Sequence, residues 1–312
     1  MKETETLFIE LTQLCNLKCI HCGYKNCYPY SIDYTIATQA ISKCVPFGLK
    51  RVVLTGGEPT LYKDLNNLLH FCKSLGLETK LTTNGSQLDT LVPLLDESLL
   101  DIIVVSIDAF DPTTYIKIRG RDNLPIIWDN YRKMSDYQAK FQFSYLIQKG
   151  NFKELISFLH QCSAEKVPVV NLLVPHFDGD FTHQLKLNDY YKTVFLQNDD
   201  IEVFQREVVP DLLDFYSNNQ SMFKFNCNHI SAIIAYLTDN TVERRGKICS
   251  LPLKTIFLYS DGTVRMCPYH SEWSYSCIDD LLNDIQNKRM KVIFEGSKKS
   301  SLCRHCLEVP IE

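Results

Sequence analysis

The stretch Thr12-Gln13-Leu14-Cys15-Asn16-Leu17-Lys18-Cys19-Ile20-His21-Cys22 sets three thiols in a C-x3-C-x2-C spacing, directly after the short apolar segment Leu7–Leu11. Iron–sulfur clusters are held by thiolates, and a 4Fe–4S cube has four iron corners. Three cysteines on one tight loop leave one iron without a protein ligand, and such an iron can take a small molecule. A structural zinc site is the competing reading, with Cys27 or His21 completing the ligand set.

Outward from this loop, strand-like and helix-like segments alternate. Leu7–Leu11, Arg51–Leu54, Thr79–Thr83, Ile102–Ile107, Phe141–Ile147 and Val169–Val174 read as strands. Tyr34–Val45 (capped by Asp33), Asp64–Leu75 (ended by Gly76), Leu88–Leu95, Ile126–Ser135 and Phe152–Cys162 read as helices. Six βα repeats predict a parallel sheet with helical crossovers. Reactive groups in such sheets gather at the carboxyl ends of the strands. The unusual segments obey that rule: the cysteine loop, Gly56-Gly57-Glu58-Pro59, Asn84-Gly85, Ser106 to Asp108, and His176 to Asp180.

From His176 to Ile248 the pattern changes, with helices expected at Asp189–Phe195 and Ser231–Leu237. Leu253–Tyr259 and Thr263–Met266 then read as a β-hairpin around Asp261-Gly262, followed by a helical run over Ile278–Phe294. This divides the chain into residues 1–175, a barrel; 176–248, a bridging segment that touches substrate; and 249–312, a small hairpin-plus-helix domain.

The 33 lysines and arginines against 37 aspartates and glutamates leave a net charge of -4. That balance disfavours an electrostatic grip on nucleic acid or an anionic membrane. No apolar run is long enough to span a membrane, and the polar, acidic Met1–Thr6 is unlike a signal peptide, so a cytoplasmic location is expected. In that reducing setting, 13 cysteines argue for metal or thiol chemistry rather than disulfides. Seven fall into two groups. The second comprises Cys249, twelve residues, Gly262, four residues, Cys267, then Cys303-x2-Cys306. Four thiolates close a cluster, which suits electron transfer or stapling; structural zinc is again the alternative.

C-x3-C-x2-C after the first strand, with Gly56-Gly57-Glu58-Pro59 after the second, resembles the radical S-adenosylmethionine superfamily over roughly residues 6–174. The C-terminal cysteine pattern resembles the truncated SPASM appendage called the twitch domain. The resemblance implies an α/β fold: a partial (β/α)6 barrel followed by a twitch domain. It implies two 4Fe–4S clusters, one auxiliary, and S-adenosylmethionine chelating the open iron beside Cys15, Cys19 and Cys22. It implies reductive cleavage to a 5′-deoxyadenosyl radical that removes a substrate hydrogen atom, with a flavodoxin- or ferredoxin-like reductant. Gly56, Gly57, Glu58 and Pro59 would receive the cofactor's amino group, with Glu58 meeting the ammonium. His21 would contact adenine; Asn84, Ser106 and Asp108 the ribose or methionyl part; and Arg119 the carboxylate.

The expected reaction is dehydrogenation or epimerisation of a small polar intermediate, a sugar or aminocyclitol, in natural product biosynthesis. Maturation of a ribosomally made peptide is the second reading, disfavoured because the barrel starts at residue 6. A non-catalytic electron carrier is the third, and the Gly56–Pro59 segment speaks against it. Oxidation of an alcohol carbon needs a base, for which His176, Asp178 and Asp180 are candidates, unless they form only a polar turn. Epimerisation needs a hydrogen donor, for which Cys227, in the irregular stretch Phe225-Asn226-Cys227-Asn228, is the candidate, unless it is an ordinary buried free cysteine.

Overall fold

Strand β1 (Thr6–Thr12) lies inside the sheet, not at its edge. It pairs in parallel with β2 (Arg51–Gly56) on one side and with β7 (Thr255–Leu258) on the other. The computed structural model describes residues 4–26, 30–175, 187–224, 227–238, 254–267 and 274–286. From β2 the parallel ladder continues through β3 (Glu78–Thr83), β4 (Ile102–Ser106), β5 (Phe141–Leu146) and β6 (Val170–Leu173). Helical crossovers connect these strands: α1 (Tyr34–Cys44), α2 (Leu65–Ser74), α3 (Val92–Asp96), α4 (Pro112–Arg119) with α5 (Leu124–Lys133), and α6 (Leu155–Ala164). The predicted α/β architecture is therefore present.

The two faces of the sheet differ. Leu7, Ile9 and Leu11 of β1, Leu54 of β2, Val105 of β4 and Phe143 of β5 join the hydrophobic core beneath the helices. The alternate positions face the other way and are largely polar. Thr55, Thr82 and Ser106 open onto one cleft. Ser144 lies 3.4 Å from Ser106, and Asn171 donates to Gln142 across neighbouring strands. Side chains alternate faces along a strand. One strand set thus supplies both an apolar outer layer and a hydrophilic lumen.

Local signals explain the helix ends. Asp33 caps α1 by accepting from the Thr35 N–H at 2.8 Å. Asp111 caps α4, which begins with Pro112 and stops at Gly120. Helix α4 has no counterpart among the predicted helices, and α5 starts at Leu124, two residues before the predicted Ile126. Between Leu187 and Thr238 the chain forms α7 (Leu187–Val194), α8 (Asn198–Val203), α9 (Val209–Asn218) and α10 (Cys227–Thr238), with a π turn (Phe204–Val208) joining α8 to α9. Of these, α8 and α9 were not anticipated.

The expected hairpin exists, as β7 and β8 (Val264–Arg265) around Asp261-Gly262, and β9 (Ser274–Tyr275) extends it. Gly262 takes φ +88°, which the turn requires. The hairpin does not stand apart as a separate sheet. Its first strand is hydrogen-bonded along β1, making a nine-stranded sheet ordered β6-β5-β4-β3-β2-β1-β7-β8-β9. Helix α11 (Ile278–Gln286) follows β9. Among the described residues, no helix is long and apolar enough to cross a membrane.

Candidate cluster and cofactor site

The cysteine loop is held by backbone contact with the end of β2. Gly57 N–H donates to the Thr12 carbonyl at 2.6 Å, and Glu58 N–H to the Leu14 carbonyl at 2.7 Å. A methyl group on Gly57 would sit 2.2 Å from the Leu14 carbonyl oxygen, and one on Gly56 2.4 Å from that of Thr12. Gly56 also takes φ +131°, a conformation that side chains rarely adopt. The glycine pair is thus required by the approach of the chain to its own cysteine loop, as well as by the cleft they line.

Cys15, Cys19 and Cys22 share that cleft with His21, Gly56, Gly57, Asn84, Ser106 and Arg119; its volume is about 250 Å³. In a cube each thiolate binds its own iron, so the fit required is a shared cavity with donors near the sulfurs. Both are present. Leu17 N–H donates to the Cys15 Sγ at 3.4 Å, Asn84 Nδ2 to the same sulfur at 3.9 Å, and Arg119 Nη1 to the Cys19 Sγ at 3.7 Å. Burial pushes the Cys22 thiol up to about 12 and raises that of Cys15. Bare thiolates are therefore unfavourable here, and iron charge would offset that cost. Among the described residues, no three His, Cys, Asp or Glu side chains converge on one single-ion position.

Behind the cleft lies a buried charge network. Arg119 Nη2 is 2.5 Å from Asp108 Oδ2, and His21 Nε2 is 3.6 Å from the same oxygen. Asp108 Oδ1 accepts from the Leu146 N–H at 2.9 Å, and Gln148 Nε2 lies 3.2 Å from His21 Nδ1. Burial opposes the charge on Arg119, but Asp108 and the Cys19 sulfur more than offset it, so its pKa is raised.

Three expectations change in detail. Glu58 does not line the cleft: it is fully buried, accepting from Thr60 N–H (3.2 Å), Thr60 Oγ1 (2.7 Å), Thr83 Oγ1 (2.8 Å) and Asn84 N–H (2.8 Å). Its carboxylate ties β2 to β3, because four protein donors already surround it. Pro59 is buried beside it and starts a 3-10 turn. Asp108 sits one layer behind the cleft, and Arg119 is engaged by Asp108 and Cys19. Asn84 and Ser106 do line the cleft, with Asn84 Nδ2 donating to Asn16 Oδ1 at 2.8 Å.

Cys227 is exposed at the first position of α10, not in an irregular segment, and does not line the cleft. His176, Asp178, Asp180, Cys249, Cys303 and Cys306 lie outside the described residues. Cys267, just after β8, is buried. Two site residues are absent from the predicted set: Gln148, which orients His21, and Glu10, which accepts from Gln13 Nε2 at 3.1 Å and pairs with Tyr24 and Ser260. A carboxylate within an apolar strand was the available signal for Glu10.

An open parallel α/β barrel with a three-thiol cleft at its strand ends defines a class of protein: enzymes that hold an iron–sulfur cluster and a small organic cofactor together. Residues 9–162 match the family model described as the Radical SAM superfamily, and the chain is a radical SAM enzyme. A 4Fe–4S cluster and S-adenosylmethionine are accordingly its cofactors. Over 99% of this chain and 93% of theirs, it is similar to two proteins named "Probable GTP 3′,8-cyclase": one from Sulfolobus acidocaldarius (28% identical) and one from Sulfurisphaera tokodaii (26%). The solved structure described as native anSMEcpe with bound AdoMet superposes with TM-score 0.69 at 16% identity, over 97% of this chain and 88% of that one. That likeness concerns the fold.

These relatives overturn the expectation of a sugar, aminocyclitol or peptide substrate, and with it oxidation or epimerisation in natural product biosynthesis. The cysteine and glycine motifs specify how the cofactor is held. They carry no information about the substrate.

Proposed function

We propose that this enzyme acts on a purine nucleotide, with GTP as substrate and ring closure between its 3′ and 8 positions as the reaction. The observation that carries this is the near end-to-end similarity to the two archaeal proteins, which spans the segment after the barrel as well as the barrel itself. The polar lumen supports it, since a nucleotide offers many groups to hydroxyl and amide side chains.

When bound, the cluster and S-adenosylmethionine supply a 5′-deoxyadenosyl radical, a cofactor chemistry for which the protein provides orientation and exclusion of side reactions. Cys15, Cys19 and Cys22 hold the cluster. His21, fixed by Gln148 and Asp108, presents its ring to the cleft. Asn84 and Ser106 offer polar contacts at the strand ends, and Gly56 and Gly57 keep the floor of the cleft free of side chains.

We further infer that Cys249, Cys267, Cys303 and Cys306 hold a second cluster in a twitch-type domain over 249–312, with 176–248 bridging to it. The buried position of Cys267 at the hairpin base favours this. A flavodoxin- or ferredoxin-like protein would supply electrons.

The test is anaerobic incubation with dithionite, S-adenosylmethionine and GTP deuterated at C3′. Expected are 5′-deoxyadenosine carrying deuterium and a product isomeric with GTP. Release of unlabelled 5′-deoxyadenosine with intact GTP would reject the assignment.

A further inference from the structure

Lys80 occupies the lumen face of β3, two residues before Thr82, which lines the cofactor cleft. A strand rises about 3.3 Å per residue, so Lys80 lies roughly 7 Å further down the same wall. Its register neighbours are Val53 on β2 and Ile102 on β4, both apolar. One step further down, Arg51 Nη2 pairs with Glu78 Oε2 at 2.7 Å, while the buried Arg51 Nε has no hydrogen-bond partner among the described residues. Among the described residues, the Lys80 ammonium makes no hydrogen bond or ion pair, although the side chain is partly withdrawn from water. Burial lowers its pKa, the charges of Lys224 and Arg51 lower it further, and only Glu78 opposes them. A half-buried ammonium beside two cations and a single carboxylate is unfavourable until a further anion joins it.

We propose that Lys80 anchors an anionic group of the substrate inside the barrel, a phosphate of the polyphosphate chain, with Arg51 and Lys224 adding to the attraction. This deepens the nucleotide reading and rests on it for the identity of the anion. Lysine suits the role because its compact charge can follow a flexible phosphate chain without the fixed fork of arginine. A phosphate held here leaves the nucleoside to extend up the wall, past Thr82 and Val104, towards the cleft.

The experiment is anaerobic equilibrium dialysis of the cluster-loaded enzyme with GTP, guanosine and tripolyphosphate, comparing wild type, Lys80→Gln and Lys80→Arg. S-adenosylmethionine binding serves as the control for folding. Lys80→Gln is expected to weaken GTP and tripolyphosphate at least tenfold and to leave guanosine within twofold; Lys80→Arg should retain most of the anion affinity. If Lys80→Gln binds both anions within twofold of wild type, or wild type binds neither, the anchor is rejected. If wild type binds GTP and guanosine equally well and Lys80→Gln changes neither, the anchor fails while the nucleotide reading stands. If tripolyphosphate binding depends on Lys80 but GTP does not bind, the anchor stands and the nucleotide reading fails. A Lys80→Gln protein that no longer binds S-adenosylmethionine is replaced by the Lys80→Met variant, judged by the same criteria.

Discussion

Arg119 shows how one side chain serves two neighbours. Its guanidinium is buried, ion-paired with Asp108, and donates to the Cys19 sulfur. Positive charge and hydrogen bonds at a ligating sulfur favour the reduced cluster and raise its potential. Arg119→Gln is expected to shift the midpoint potential of the N-terminal cluster negative, and Asp108→Asn to shift it positive, in a redox titration followed by electron paramagnetic resonance. Equal shifts of the same sign would contradict this. Losing one partner of a buried pair costs about 3–5 kcal/mol, so the double variant should be more stable than Arg119→Gln alone. Glu58 gives a second prediction. All four of its partners are donors, so a glutamine there turns its amide hydrogens towards at least one of them. Glu58→Gln should lose about 2–3 kcal/mol in denaturant unfolding and bind S-adenosylmethionine more weakly, although its side chain is absent from the cleft.

Among the elements, the junction of β1, the cysteine loop and β2 carries the tightest steric requirement. A side chain at Gly57 meets backbone, which cannot rotate away. Gly57→Ala is expected to fold its sheet, with far-ultraviolet circular dichroism unchanged, while reconstituting roughly 10- to 100-fold less cluster, the range seen for disturbed support of a metal site. Normal iron uptake would show that the loop docks in another way. Sequence pattern located this junction well, because glycine pairs and cysteine spacing are local. It did not reveal that Glu58 turns inward, since that depends on Thr83 and Asn84 arriving from β3.

For the whole molecule, the parallel pairing of β7 with β1 joins the C-terminal hairpin to the barrel, and Glu10 links the cysteine loop to Ser260 in the hairpin turn. A second cluster at Cys267 would therefore be coupled mechanically to the first. Iron analysis of the anaerobically reconstituted enzyme should give about eight atoms per chain, corresponding to two cubes. Cys267→Ser should retain about four, and wild type with only four would remove the auxiliary cluster. Stripping iron with a chelator is expected to make Asn16–Cys22 accessible to protease while the strands remain protected.

The sequence alone determined the alternation of strands and helices, the three-thiol loop and the glycine pair that receives it, because periodicity and spacing are properties of neighbours along the chain. Only the tertiary structure decided that Arg119 serves Cys19 and Asp108, that Glu58 braces two strands, that the hairpin completes the sheet beside β1, and that Lys80 faces the lumen without a partner. Each of these depends on groups tens to hundreds of residues apart. Which of them meet is set by strand register and by the need to satisfy buried charge, and neither is written in any single segment.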